Sequence, residues 1–333
     1  MTAKPSIKTS SNPLLTIARI REVGISIFIL ALVIAVALRS PGFLTLNNFR
    51  DIMVNISILV IVSLTQTMVI LTRNIDLSVG SAIGLVAMMV SFMVKQYPEF
   101  SPVAAVSLGV ALGSVLGMFN GLIVAYGKVP SIIATLGTLS VYRGLIFLYS
   151  GGTWINAFEM SRSFKSLAKG TPLGLPNLVY VAIVVAILVF YFLNYTRTGR
   201  DLYAVGSNPD AARFAGIRTQ RVVFLVFVLS GIACGLGGVL WASRFESAQT
   251  NTAFGFELQT VAAAIVGGVS ISGGVGTVPG VLLGALLLGI IQNSLTLIRI
   301  SPFWQLAVQG LLILVAVVTD NLISRRIQQG GNR

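Results

Sequence analysis

The chain has 333 residues, 55% of them hydrophobic and only 10% charged, and its mean hydropathy is +0.89. An ordinary soluble domain carries about 25% charged residues, so the composition argues against a water-soluble globular enzyme. The formal net charge of +13 comes from 23 Lys and Arg against 10 Asp and Glu scattered among short loops. That pattern does not make a nucleic-acid-binding face. Histidine is absent and Cys234 is the lone cysteine. A histidine metal site, a Ser-His-Asp triad and an intrachain disulfide are thereby excluded, and neither a catalytic residue nor a bound metal or cofactor is expected.

A mostly polar tail, residues 1–22, precedes the apolar run Gly24–Leu38. Arg39-Ser40-Pro41 follows in place of a small-residue cleavage pattern, so the run reads as a retained first span. Later apolar runs approach or exceed the ~18–20 residues a helix needs to cross hydrocarbon. Ten spans are expected at about 23–38, 52–72, 77–94, 102–125, 131–149, 177–194, 222–242, 256–272, 275–297 and 303–320, followed by a tail over 321–333. The runs are continuously apolar, without the alternation a barrel strand requires. The expected fold class is all-α, a polytopic transmembrane helical bundle. Lys and Arg divide fourteen to nine in favour of the side that holds both termini, which places the termini in the cytoplasm.

Two longer connections interrupt the spans. Residues 150–176, with Gly151-Gly152, Trp154, Pro172 and Pro176, form an outward loop with room for a short interfacial helix. Residues 195–221 form the longest inward segment. At its centre, Asn208-Pro209-Asp210-Ala211-Ala212-Arg213-Phe214-Ala215-Gly216-Ile217 has the grammar of a short helix: Asn208 as cap, Pro209 in the first turn, Gly216 as terminator. Such a helix either offers a partner a grip or rests on lipid headgroups.

Gly109, Gly113, Gly117 and Gly121 recur every fourth residue and mark one face for close helix approach. The segment from Gly267 to Gly280, which includes Gly268, Gly273, Gly274 and Gly276, is too rich in glycine for a straight helix and reads as a turn or broken helix. It lacks the Gly-Lys-Ser/Thr of a phosphate loop. Asp76, near a membrane boundary, either pairs with Arg73 or caps the third span, and the two roles are compatible. Lys128-Val129-Pro130-Ser131 marks another inward turn, with Ser131 available as a cap. Gln66, Thr67, Asn120, Thr135, Thr138, Gln259, Thr260, Gln292 and Asn293 are the polar side chains able to line a hydrated path or to bond between helices. There is no row of carboxylates for a proton pump, no repeated filter and no arginine-rich sensor.

Four ordered motifs then carry a resemblance. They are Ile75-Asp76-Leu77-Ser78-Val79-Gly80, Lys128-Val129-Pro130-Ser131 with Ala134-Thr135-Leu136-Gly137-Thr138, the Gly206–Ile217 segment, and Gly267–Gly280. Together they resemble the bacterial ABC permeases of the ribose/xylose/rhamnose/autoinducer-2 import family, over about residues 24 to 320. The resemblance implies a type II importer-like permease of the bacterial inner membrane that makes and breaks no bond itself. It further implies a cytoplasmic ATPase that uses ATP and Mg, a periplasmic sugar-binding protein, and a second permease copy or paralogue. Asn208, Pro209, Asp210, Ala211, Ala212, Arg213, Ala215 and Gly216 match the family's coupling helix. Arg73, Asp76, Ser78, Gly80, Lys128, Pro130 and the Gly267–Gly280 glycines fall on its structural or gating turns. Many of its sugar permeases carry Gly-Gly where this chain has Arg73-Asn74, a variant closest to the rhamnose-type branch, with autoinducer-2 import as an alternative. Outside this class, the competitors are a non-transporting membrane scaffold and an ion-gradient-driven transporter.

Overall fold

The computed structural model describes residues 13–172 and 174–298, together with Ser301, Trp304, Ala307, Gly310, Leu311, Leu314 and Val318. Its α-helices are α1 (Pro13–Arg39), α2 (Leu46–Leu71), α3 (Val79–Gln96), α4 (Pro102–Gly121), α5 (Ser131–Ser150), α6 (Arg162–Lys169), α7 (Asn177–Tyr195), α8 (Arg197–Ser207), α9 (Pro209–Phe214), α10 (Thr219–Phe245), α11 (Phe256–Val266) and α12 (Val278–Leu297). Eight of the described helices are long and apolar enough to cross a membrane. The boundaries follow local signals. Thr45 and Ser101 accept backbone N–H bonds at the starts of α2 and α4, Thr277 does so for α12, and Gly151, at φ 58°, ends α5.

The centre of the bundle is α2, α3 and α10, with α2 buried on every side from Ile56 to Leu71. Helix α4 lies directly on α10. A Cβ at Gly113 would lie 2.6 Å from Gly235 Cα and would overlap Gly231 O, and Gly109 and Gly117 meet the same strip. The glycine stripe is therefore a backbone-to-backbone contact, as small-residue faces permit.

Helix α6 and the turn Ala157–Glu159 sit at one end of the bundle. There Lys95, at the end of α3, pairs with Glu159 at 2.6 Å, and Ser243, near the end of α10, bonds α6 backbone. Helix α6 is seated in the protein, with Phe164 fully buried. Helices α8 and α9 occupy the opposite end. These two ends are the α6 side and the α9 side.

One expected span is corrected. The apolar stretch 256–272 holds a helix of only 11 residues, about 16 Å at 1.5 Å per residue, against ~30 Å of hydrocarbon. Gly267 and Gly268 stop it, the latter at φ 90°. The tenth expected span, 303–320, lies outside the described residues except at isolated positions.

Candidate functional site

Two discontinuous elements meet inside the bundle. From the α9 side, α2 stops at Leu71 and residues 74–78 form an irregular connector before α3 begins. From the α6 side, α10 stops at Phe245 and an irregular segment, 246–255, runs inward before α11 begins, with Glu246 and Ala253 in left-handed backbone. The N-termini of α3 and α11 come together: a Cβ at Gly80 would lie 2.5 Å from Ala253 O and would overlap Glu257 Oε2. Gly80 is about 22 Å along α3 from Lys95, so the junction is deep within the span. Half-helices whose N-termini meet near the midplane are a recurrent way to build solute sites in transporters.

An acid lies near each helix start: Asp76 three residues before α3, and Glu257 in the first turn of α11. Asp76 is 3% exposed. Its Oδ1 accepts from the Ser78 N–H (3.0 Å) and hydroxyl (2.7 Å), and its Oδ2 from the Ser230 hydroxyl (3.2 Å). Glu257 opens α11, and its Oε2 has no hydrogen-bond partner among the described residues. Arg143 lies close by on α5, where its Nη1 donates to the carbonyls of Thr250 (3.0 Å) and Thr252 (2.9 Å) and its guanidinium lies 5.8 Å from the Phe254 ring centroid. Asp76 was singled out from the sequence; Glu257 and Arg143 were missed, although two signals were available. Phe256-Glu257-Leu258-Gln259 echoes Ile75-Asp76-Leu77-Ser78, and Arg143 is a charge inside an otherwise apolar run.

The expected Arg73–Asp76 pair does not form. The chain turns sharply after α2 because Arg73 is left-handed, at φ 64°, which directs its side chain to α8. Its Nε donates to Gly206 O (2.6 Å) and its Nη2 to Ser207 O (2.7 Å). A Cβ at Gly206 would overlap Leu71 O and lie 2.5 Å from Gly274 N, while Gly274 N–H donates to Leu71 O (3.0 Å). The end of α2, the end of α8 and the glycine turn thus form one knot of backbones. Gly273 and Gly274 turn there at positive φ, and Gly267 packs directly on Gly280. Tyr203, on α8, donates to Gly276 O (2.9 Å), and burial pushes its hydroxyl pKa up to about 12.

Ser131 does not cap α5. Its Oγ instead accepts from the Ile75 N–H (3.1 Å), and Thr135 Oγ1 accepts from the Leu77 N–H (3.0 Å), so α5 caps the irregular connector in place of its own first turn. Lys128 sits at φ 55° between the π-turn Leu122–Tyr126 and Pro130. Asn120 donates to Ser78 Oγ (2.8 Å), and Thr138 bonds Thr135 O (3.3 Å). Gln292 and Gln259 approach at 3.5 Å, and Asn293 donates to Asn48 Oδ1 (2.8 Å). These polar groups are engaged between or within helices. Gln66 differs: it is fully buried, and neither side-chain polar atom has a partner among the described residues.

Helix α9 stands out from the bundle. Asn208 Oδ1 accepts from the N–H groups of Asp210 (3.1 Å) and Ala211 (3.0 Å), Pro209 fills the first turn, and Gly216, at φ 83°, ends the helix. Ala212 faces inward at 4% exposure, while Phe214 is 93% exposed. On the α6 side, Lys169 bonds the Glu246 carboxylate at 2.6 Å with Lys165 at 3.7 Å, and these hold the Glu246 pKa below the usual carboxylate value. Lys95 does the same for Glu159.

Residues 48–317 match the family described as the branched-chain amino acid transport system / permease component. The chain belongs to this family. It is 37% identical over 297 residues to the ribose import permease protein RbsC of Escherichia coli K12, covering 89% of this chain and 92% of that protein. It is 37% identical over 320 residues to the galactose/methyl galactoside import permease protein MglC of the same strain, covering 91% and 95%. It is 35% identical over 312 residues to the autoinducer 2 import system permease protein LsrC of Enterobacter sp. strain 638, covering 94% and 90%. No solved structure matches. With eight long apolar helices among the described residues, the chain is a multi-pass inner-membrane permease.

Proposed function

We propose that this chain is the non-catalytic translocation subunit of an ATP-driven importer carrying a monosaccharide, of rhamnose type, across the bacterial inner membrane. The observation that carries the reading is the likeness to sugar import permeases along nine-tenths of the chain. Arg73-Asn74, in place of the Gly-Gly of many sugar permeases in the family, favours the rhamnose-type branch. The α9 side is assigned to the cytoplasm. There α9, pre-formed by its Asn208 cap and presenting Phe214, is the surface for a partner ATPase that binds and hydrolyses ATP with Mg. A periplasmic sugar-binding protein delivers solute at the α6 side, and a second permease copy completes the path.

The permease contributes differential stabilisation of two access states, so a deep high-affinity site is not required. The turns at Arg73–Gly80, Lys128–Pro130 and Gly267–Gly280 are assigned as the places where these states differ. The test is uptake of a panel of labelled sugars into proteoliposomes containing this chain, its co-purified ATPase and candidate binding proteins, with and without ATP. Uptake that requires ATP and one loaded binding protein supports the reading and names the cargo. Uptake following an imposed ion gradient with no ATPase overturns it. Autoinducer 2 belongs in the same panel because of the 35% identity to LsrC.

A further inference from the structure

On the α9 side, a cleft of about 660 Å³ opens between the turn that follows α4 and the link from α9 to α10. Four cations line it, Lys128 on the first wall and Arg213, Arg218 and Arg221 on the second. No acidic side chain is in its lining, and none of the four cations has a side-chain hydrogen bond or ion pair among the described residues. The ion pairs among the described residues all lie on the α6 side, and Asp210 makes none with Arg213 three residues on. Four like charges around one cleft repel each other and create a positive potential that a bound anion relieves. The start of α10 adds to that potential, since the Gln220 N–H has no partner among the described residues. Lys128 also stands at φ 55°, a backbone conformation that glycine adopts at less cost.

The cleft continues into an apolar surface. Phe119 and Leu122, on the last turns of the α4 span, are exposed, and Tyr126 follows them at the lip of the cleft, its ring centroid 5.8 Å from that of Phe224. A phospholipid has the same order, an anionic phosphate above an apolar chain, and aromatic rings are favoured at that boundary. We infer that this cleft binds the phosphate of an anionic phospholipid, with one acyl chain lying along Leu122 and Phe119. An acidic protein surface would satisfy the cations but leave that apolar wall without a role. The site needs neither solute nor ATPase, so its failure is separable from failure of the importer reading.

The test is native mass spectrometry of the full chain, purified in a neutral detergent and titrated with dioleoyl phosphatidylglycerol or dioleoyl phosphatidylcholine. The expected result is phosphatidylglycerol held at least about fivefold more tightly than phosphatidylcholine, the effect of one cation beside an anionic lipid. Arg218→Gln with Arg221→Gln should weaken phosphatidylglycerol binding about 25-fold, two such steps, while Arg218→Lys with Arg221→Lys keeps most of it. Arg197→Gln with Arg200→Gln removes two exposed cations of α8 that are not in the cleft, and the affinity should stay at the parent value. Lys128→Gly separates binding from folding. It removes one cation and frees a left-handed backbone, so affinity should fall about fivefold while the melting temperature holds or rises. Equal affinity for the two lipids overturns the site, as does an equal loss in the α8 variant or parent-like affinity in both Lys128→Gly and the double Gln variant. Displacement of phosphatidylglycerol by millimolar inorganic phosphate assigns the cleft to a soluble anion and overturns the lipid. Cleft variants that bind phosphatidylglycerol as the parent does, yet no longer co-purify an ATPase, assign it to an acidic protein face and overturn the lipid as well.

Discussion

The contact between α4 and α10 gives the sharpest quantitative test of the packing. In Gly113→Ala the new Cβ lies 2.6 Å from Gly235 Cα and overlaps Gly231 O. Ordinary carbon contacts are about 3.5–4.0 Å, so the helices must separate by about 1 Å at a point where every near neighbour is backbone. Overpacking of this kind costs about 1–3 kcal/mol. The better helix propensity of alanine returns about 0.5–1 kcal/mol, leaving a net loss of up to about 2.5 kcal/mol. Gly137→Ala is the control: its Cβ meets nothing within 4 Å, so only the propensity gain remains. Cys234 supplies the assay, since it is buried on α10 itself. A thiol-reactive fluorogenic dye added during heating reports when that helix opens. Gly113→Ala should melt about 2–4 °C below the parent per kcal/mol lost, and Gly137→Ala at or above it. A Gly113→Ala protein as stable as Gly137→Ala would refute a backbone seam.

Three further outcomes follow from the site. Arg73→Gln removes the charged donor to the Gly206 and Ser207 carbonyls, bonds worth about 1.5–3 kcal/mol each; amide exchange in residues 204–208 should accelerate, and unchanged exchange would contradict the clamp. Asn208→Ala deletes a cap that receives two N–H bonds, costing about 1 kcal/mol, so sugar-stimulated ATP hydrolysis by the assembled transporter should drop while Asn208→Ser retains it; equal rates would remove α9 from coupling. Glu246 has a folded pKa below its usual value because of Lys169 and Lys165. Its contribution is therefore complete above the usual carboxylate range and is lost as pH falls through the folded value. Between about pH 5 and pH 3 the parent should lose more thermal stability than Glu246→Gln, and parallel curves would count against the ion pair.

The sequence made the long spans legible because their ends are written in local chemistry. Pro130-Ser131 and Pro176-Asn177 open α5 and α7 where the hydropathy rises, and Asn208, Pro209 and Gly216 delimit α9. Hydropathy could not show that α11 is half a helix, because Phe256–Val266 and the turn after it are equally apolar and only the depth of Gly80 reveals where α11 starts. The Arg73–Asp76 pairing failed for a related reason. Spacing of three residues brings side chains together only if the backbone stays helical, and Arg73 leaves the helical region at φ 64°. Ser131 and Thr135 look like ordinary helix-start residues, yet they spend their oxygens on the backbone of another segment. Ser247–Gly255 has the composition of any polar loop, and nothing local shows that it turns inward.

These contacts also define how a displacement at α9 would travel. Helix α8 joins α9 directly to Gly206, and from Gly206 two routes lead inward. One passes through Arg73 and the irregular connector to Asp76 and the start of α3, with α5 attached through Ser131 and Thr135. The other passes through Gly273 and Gly274 into the glycine turn and on to α11. Both end where Gly80 meets Ala253 and Glu257. At Gly206 the contacts are made by backbone alone, whereas the Ser207 hydroxyl shares the contact at Gly274 and the Glu257 side chain that at Gly80; close-packed interiors compress little. A partner that shifts α9 by an ångström therefore has to move the end of α2 and the glycine turn packed on Gly206 or break the knot there. An exposed helix carried on a flexible linker would impose no such choice, and this difference separates a coupling element from a mere docking tab.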